Sequence, residues 1–145
     1  EPGENGLTMI ETFALIDELI KKPLQYLHVS LLDFYINAYR GGDSEKPAIK
    51  LIHDRINGKL PLIGVGNLYT ADQINKALNT GWAEFTALGK TAIINPNIGT
   101  LIRENRENEI ETELDLNRKD KYDLGEFLWE RAKEESPLLT PLKKK

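Results

Sequence analysis

Cysteine is absent from the 145 residues, and histidine occurs only at His28 and His53. Disulfides, thiolate nucleophiles and Cys-ligated zinc are excluded with the cysteines. Nothing in the pattern brings the two histidines together, so no metal site is expected. Long apolar runs are missing too: none approaches the roughly 20 residues that span a bilayer. The opening Glu1-Pro2-Gly3-Glu4-Asn5-Gly6 lacks the form of a secretory signal, and a cytoplasmic setting is expected. Positive charge is in deficit, with 19 Lys and Arg against 23 Asp and Glu, a net charge of −4. That balance argues against a general nucleic-acid or membrane-surface binder, which needs clustered cations.

What is present suffices for a core. Hydrophobic residues make up 40% of the chain and charged residues 29%, in a length typical of one domain. After a loop over residues 1–7, Thr8-Met9-Ile10-Glu11 fits a capping box. Met9, Phe13, Ile16 and Ile20 then recur at helical spacing, and Pro23 closes that helix near Lys22. Tyr26 to Ser30 reads as a short buried strand. Pro47 to Asn57 reads as a helix lined by Ile49, Ile52 and Ile56, with Gly58 suited to a left-handed end. Leu62-Ile63-Gly64-Val65-Gly66 reads as a second strand, whose glycines imply close backbone approach.

Thr70-Ala71-Asp72-Gln73 is a second capping box, opening a helix with Ile74, Ala77 and Leu78 that stops at Gly81. Phe85 to Gly89 reads as a third strand. A short helix at Ala92-Ile93-Ile94 is interrupted by Pro96, and another begins after Asn97. Strands that are short and apolar, without alternation, imply a parallel α/β arrangement of βα units with both sheet faces covered.

The character changes past residue 105, which divides the chain into βα units over 1–105 and a charged extension over 106–145. From Arg103 to Asp123 there are five basic and eight acidic residues. Glu109 to Leu116 alternates, with Ile110, Thr112, Leu114 and Leu116 on one side, which predicts an edge strand with one wet face. The simplest account of its carboxylates is a solvated surface. Leu124 to Glu135 predicts a last helix anchored by Phe127, Leu128 and Trp129, and Lys143-Lys144-Lys145 reads as a solvated tail.

Chemistry is best placed at Gly64-Val65-Gly66-Asn67 and Leu88-Gly89-Lys90. Each lies where a parallel strand ends and a helix follows, so bare N–H groups can approach an anion. Lys90 adds a full charge. A phosphate between two such strand ends is a natural occupant, although Gly-x-Gly alone also marks packing or a turn. The remaining polar residues have plainer readings. His28 is expected to be structural and His53, beside Asp54, to lie at the surface. Asp33, Asp43 and Asp72 are candidate acids, with Asp72 explained by a helix's first turn. Ser30 has no base partner, so no catalytic triad is supported. Trp82, Tyr35 and Tyr39 are expected to pack rather than to stack on a ligand ring.

Pro61 to Thr70, the run Ala83-Glu84-Phe85-Thr86-Ala87-Leu88-Gly89-Lys90 and Ile94-Asn95-Pro96-Asn97 resemble the C-terminal part of the Old Yellow Enzyme family. Tyr26-Leu27-His28-Val29-Ser30 resembles the sixth strand of that family's barrel, and Gly6-Leu7-Thr8-Met9 the approach to the preceding helix. The resemblance covers roughly residues 5–105. It implies FMN-dependent NAD(P)H oxidoreductases on a TIM (β/α)8 barrel, with Leu62 beginning the seventh strand and Phe85 the eighth. It further implies that the FMN phosphate is held by Gly66, Asn67, Gly89 and Lys90. The family usually has Arg where this chain has Lys90, which keeps the charge but loses the bidentate fork.

Such barrels need about 250 residues and eight strands, and only three strands are legible here. The family's substrate-anchoring pair, proton-donating Tyr and flavin-ring contacts lie on earlier strands, so no catalytic residue is assigned. The expectation is a C-terminal portion of a longer ene-reductase-like enzyme, inactive alone, that self-associates through two open strand edges and an uncovered inner sheet face. The alternatives are a portion of another phosphate-binding barrel enzyme, or a non-enzymatic βα module pairing through the Glu109–Leu116 strand.

Overall fold

The computed structural model describes residues 6–133. The expected start of the N-terminal loop, the end of the last helix and the Lys143–Lys145 tail lie outside them. The chain divides into two compact units, Glu1–Asn67 with Asn75–Ala87, and Leu68–Ile74 with Leu88–Lys145. No helix among the described residues is long and apolar enough to cross a membrane.

The first unit opens with α1, Met9–Leu19. Its capping box forms as expected, with Ile10 N–H donating to the Thr8 hydroxyl and Thr8 N–H to the Glu11 carboxylate. Strand β1 is Leu27–Ser30, followed by α2, Ala48–Ile56, and β2, Leu62–Val65. Ile49, Ile52 and Ile56 form the buried side of α2. Asn57 and Gly58 both take left-handed backbone at its end. Helix α3, Ala71–Asn79, leads to β3, Phe85–Thr86. The strands are parallel, in the order β1-β2-β3.

That order corrects the reading of short apolar strands as covered on both faces, and agrees with the uncovered inner face expected of a portion of a barrel. Crossovers between parallel strands are right-handed. Two successive steps in the same direction place α2 and α3 on the same face, and only a reversal would cover the other. Register puts Leu27, Val29, Leu62, Gly64 and Thr86 on one face, and His28, Ser30, Ile63, Val65 and Phe85 on the opposite one. Leu62 and Gly64 are buried, whereas His28, Ser30 and Phe85 are exposed, Phe85 by 57%. Strand β1 is therefore an edge strand, not a buried one, and Tyr26 precedes it in the open. Leu78, expected in the core, is also exposed. Strand β3 is only two residues long, because after the Ala87 N–H bond to the Gly64 carbonyl the chain turns toward α4.

In the second unit, α4 is Lys90–Ile94, α5 is Ile98–Arg103 and α6 is Glu126–Lys133. Its core joins Ile94, Leu114, Tyr122, Trp129 and Ala132, with Tyr122 and Trp129 stacked at 6.1 Å. Trp129 anchors α6 together with Ala132, three residues on. Phe127 and Leu128 were expected to share that role but face outward, Phe127 being 75% exposed.

The expected strand over Glu109–Leu116 is not formed. A 3-10 turn covers Glu107–Glu109, Leu114 is fully buried, and Thr112 and Leu116 are exposed. Within it only Leu114 makes an isolated β-bridge. At Glu111 the buried Asn95 side chain holds the backbone, accepting from Glu111 N–H at 2.9 Å and donating to its carbonyl at 2.8 Å.

Candidate functional site

In the first unit, Gly66 and Asn67 follow the last residue of β2. The glycines of this strand are required by a close approach, as expected, but the approaching group belongs to the chain itself. A β-carbon on Gly64 would lie 2.6 Å from the Phe34 ring, and one on Gly66 would lie 2.5 Å from the Asp33 carbonyl carbon. Phe34 N–H donates to the Gly66 carbonyl at 3.1 Å. The Asp33–Phe34 turn is held by Tyr35 N–H on the Asp33 carboxylate at 2.8 Å. Asn67 then takes φ +47°.

In the second unit, Gly89 is the N-cap of α4 and Lys90 its first residue. A β-carbon on Gly89 would meet nothing within 4 Å. Lys90 is half-buried and forms no ion pair with the described residues. The N–H groups of Gly89 and Lys90 meet no acceptor among those residues. An open glycine, an uncommitted cation and unused amides make a donor set suited to a phosphate. Leu68 directly follows Asn67, and Thr91 directly follows Lys90. Within the second unit the buried Thr91 hydroxyl donates to the Leu68 carbonyl at 2.9 Å. Sequence reasoning missed Thr91 and Asn95. The available signal was two polar residues one helical turn apart in an apolar helix.

The other candidates are committed to structure. Asp43 accepts from Glu45 N–H at 3.1 Å and pairs with Lys46 at 2.8 Å. The Lys46 bond, then the Glu45 amide, hold its carboxyl below the ordinary value. Asp33 closes the turn just described, and Asp72 occupies the first turn of α3. His28, expected as a structural histidine inside a buried strand, is exposed on the open sheet face. His53 is half-buried, with Nδ1 3.5 Å from Asp54 Oδ1. Tyr35 sits edge-on between Phe34, at 5.1 Å, and Trp82, at 6.3 Å. Burial, then the Asp33 charge, push its phenol up. Tyr39 is exposed.

A separate cavity of about 670 Å³ in the second unit is lined by Asn95, Glu109, Glu111 and Lys121, among others. Its charges are already satisfied, Glu109 by Arg106 and Glu111 by Lys121 and Tyr122.

No family model matches the chain. It is 39% identical over 130 residues, 90% of its length, to "Probable NADH-dependent flavin oxidoreductase YqiG" of Bacillus subtilis (strain 168). It spans 35% of that relative's length. This similarity bears out the resemblance to the Old Yellow Enzyme family.

Proposed function

We propose that the chain supplies the phosphate-holding strand ends of a longer FMN-dependent NAD(P)H oxidoreductase of the ene-reductase type. The observation that carries this reading is the 39% identity to a flavin oxidoreductase across 90% of the chain. Three parallel strands in sequence order support it, since a (β/α)8 barrel is built by repeating that step. In such a barrel β1, β2 and β3 are the sixth, seventh and eighth strands, and the uncovered face with Ile63 and Val65 turns inward.

The chemistry supplied by bound FMN is hydride transfer from NAD(P)H to an activated alkene or a related electrophile. The part of this chain is to hold the cofactor's phosphate. Gly66 and Asn67 offer backbone N–H groups at one strand end, and Gly89 and Lys90 do so at the next. The Lys90 ammonium balances the phosphate charge. Gly66 contributes through its N–H alone, because Phe34 fills the side where a β-carbon would stand. The residues that touch substrate lie outside this chain, which is inactive by itself and self-associates through its open edges and bare sheet face. The test is Lys90→Ala in the full-length enzyme. FMN retention should fall, and the wild-type affinity should weaken with salt while the variant's responds less. Unchanged FMN affinity across the salt series contradicts a direct contact.

A further inference from the structure

We infer that Thr91 is a positioning residue for the phosphate-facing groups of Gly89 and Lys90; the inference rests on the phosphate reading above. Thr91 has 1% of its surface exposed, too little to touch a ligand. Its hydroxyl has one proton to donate. For a threonine in a helix the near acceptor is the carbonyl four residues back. Here the proton goes instead to the Leu68 carbonyl, 23 residues away in sequence, at 2.9 Å. The Thr91 carbonyl is held as well, by the Asn95 N–H and by Asn95 Nδ2, each at 2.9 Å. Thr91 is therefore fixed at both side chain and backbone, within the second unit.

The two residues before it have little to hold them. A β-carbon on Gly89 would meet nothing within 4 Å, and glycine has the freest backbone of all residues. Lys90 makes no ion pair with the described residues and carries a side chain of many rotamers. Helix α4 has five residues, too few to persist on its own hydrogen bonds. The direction of the Gly89 and Lys90 donors is therefore set by the residue that follows them, and the Thr91 hydroxyl ties that residue to the segment after β2. A phosphate then meets donors that are already ordered, so binding does not have to order them. Without the tie the ordering falls to the binding step, and only a ligand that carries the phosphate is weakened by it.

The experiment compares FMN with riboflavin, which lacks the phosphate, as ligands of the full-length enzyme stripped of flavin. Dissociation constants are read by flavin fluorescence for wild type, Thr91→Val, Thr91→Ala and Thr91→Ser, with circular dichroism checking that each is folded. Valine keeps the shape of threonine without the hydroxyl, and serine keeps the hydroxyl. The variants without the hydroxyl should bind FMN about tenfold more weakly, the worth of one hydrogen bond, and riboflavin as before. Thr91→Ser should stay near wild type for both. Unchanged FMN affinity in a folded hydroxyl-free variant, equal loss for both flavins, or no rescue by serine overturns the positioning role. Loss of the fold in both hydroxyl-free variants overturns it too, since Thr91 is then needed for the fold itself. A wild type that binds both flavins equally overturns the phosphate reading itself, and so separates the two failures.

Discussion

Asn95 grips Glu111 by both backbone groups, as a neighbouring strand would. Its Nδ2 donates to the Glu111 carbonyl at 2.8 Å and to the Thr91 carbonyl at 2.9 Å, while its Oδ1 accepts from Glu111 N–H at 2.9 Å. Thr91 in turn donates its hydroxyl to Leu68. These contacts tie the segment after β2, helix α4 and the acidic stretch into one buried polar chain within the second unit. Asn95→Ala would remove the side-chain bonds to the Glu111 N–H and carbonyl and to the Thr91 carbonyl. The expected cost is about 1–3 kcal/mol, the range for losing hydrogen bonds of a buried polar side chain. Asn95→Asp keeps the acceptor but sets a charge against two carbonyls, and should be at least as damaging. Urea unfolding of the variants measures this, and a shared loss near zero would contradict the arrangement.

Acid sensitivity should come from the surface ion pairs. Arg55 donates from two guanidinium nitrogens to the two carboxylate oxygens of Asp17, linking α2 to α1. The Arg55 hydrogen bond leads the causes that lower the Asp17 pKa from 3.8. Glu109 and Glu126 are lowered in the same way by Arg106 and Lys119. A carboxyl with a depressed folded-state pKa binds its proton more readily when unfolded. Its contribution is present above the unfolded value and is lost as pH falls through the folded one. The window is therefore below about pH 4. Asp17→Asn should flatten the fall of the urea midpoint through that window, and high salt should shrink the wild-type effect because these groups are exposed. An acid limb unchanged by Asp17→Asn would show that the pair does not form in solution.

Local rules were legible in the sequence wherever one residue's chemistry decided the outcome. Thr8 with Glu11 and Thr70 with Gln73 announce caps, and both form, Gln73 N–H reaching the Thr70 hydroxyl at 3.2 Å. The parallel βα order was legible for a similar reason: short apolar strands separated by helical periods admit few connections. What failed depended on distant neighbours. Glu109–Leu116 has strand alternation but pairs only at a single bridge, at Leu114, and is held at Glu111 by the Asn95 amide. Phe127 and Leu128 look like core residues until Trp129 and Ala132 take the buried side of α6. The glycines of β2 signalled a close approach, yet only the fold shows that Phe34, some thirty residues earlier, is what approaches Gly64 and Gly66. Gly89 carries no such internal explanation.

That contrast yields the last prediction. A side chain on Gly89 would enter empty space. Gly89 is the N-cap of α4, where glycine is favoured over Ala and Val, so Gly89→Ala or Gly89→Val should cost no more than about 1 kcal/mol. If the phosphate lies against the Gly89 amide, however, the added carbons occupy its place. The flavin content of the purified full-length enzyme should then fall, and more for Val than for Ala. Thermal unfolding and the visible flavin absorbance, measured on the same preparations, separate the cases. Unchanged melting with unchanged flavin content would remove Gly89 from the ligand's path. A larger fall in melting temperature of the flavin-free protein would instead make the glycine structural, as Gly66 is beside Phe34.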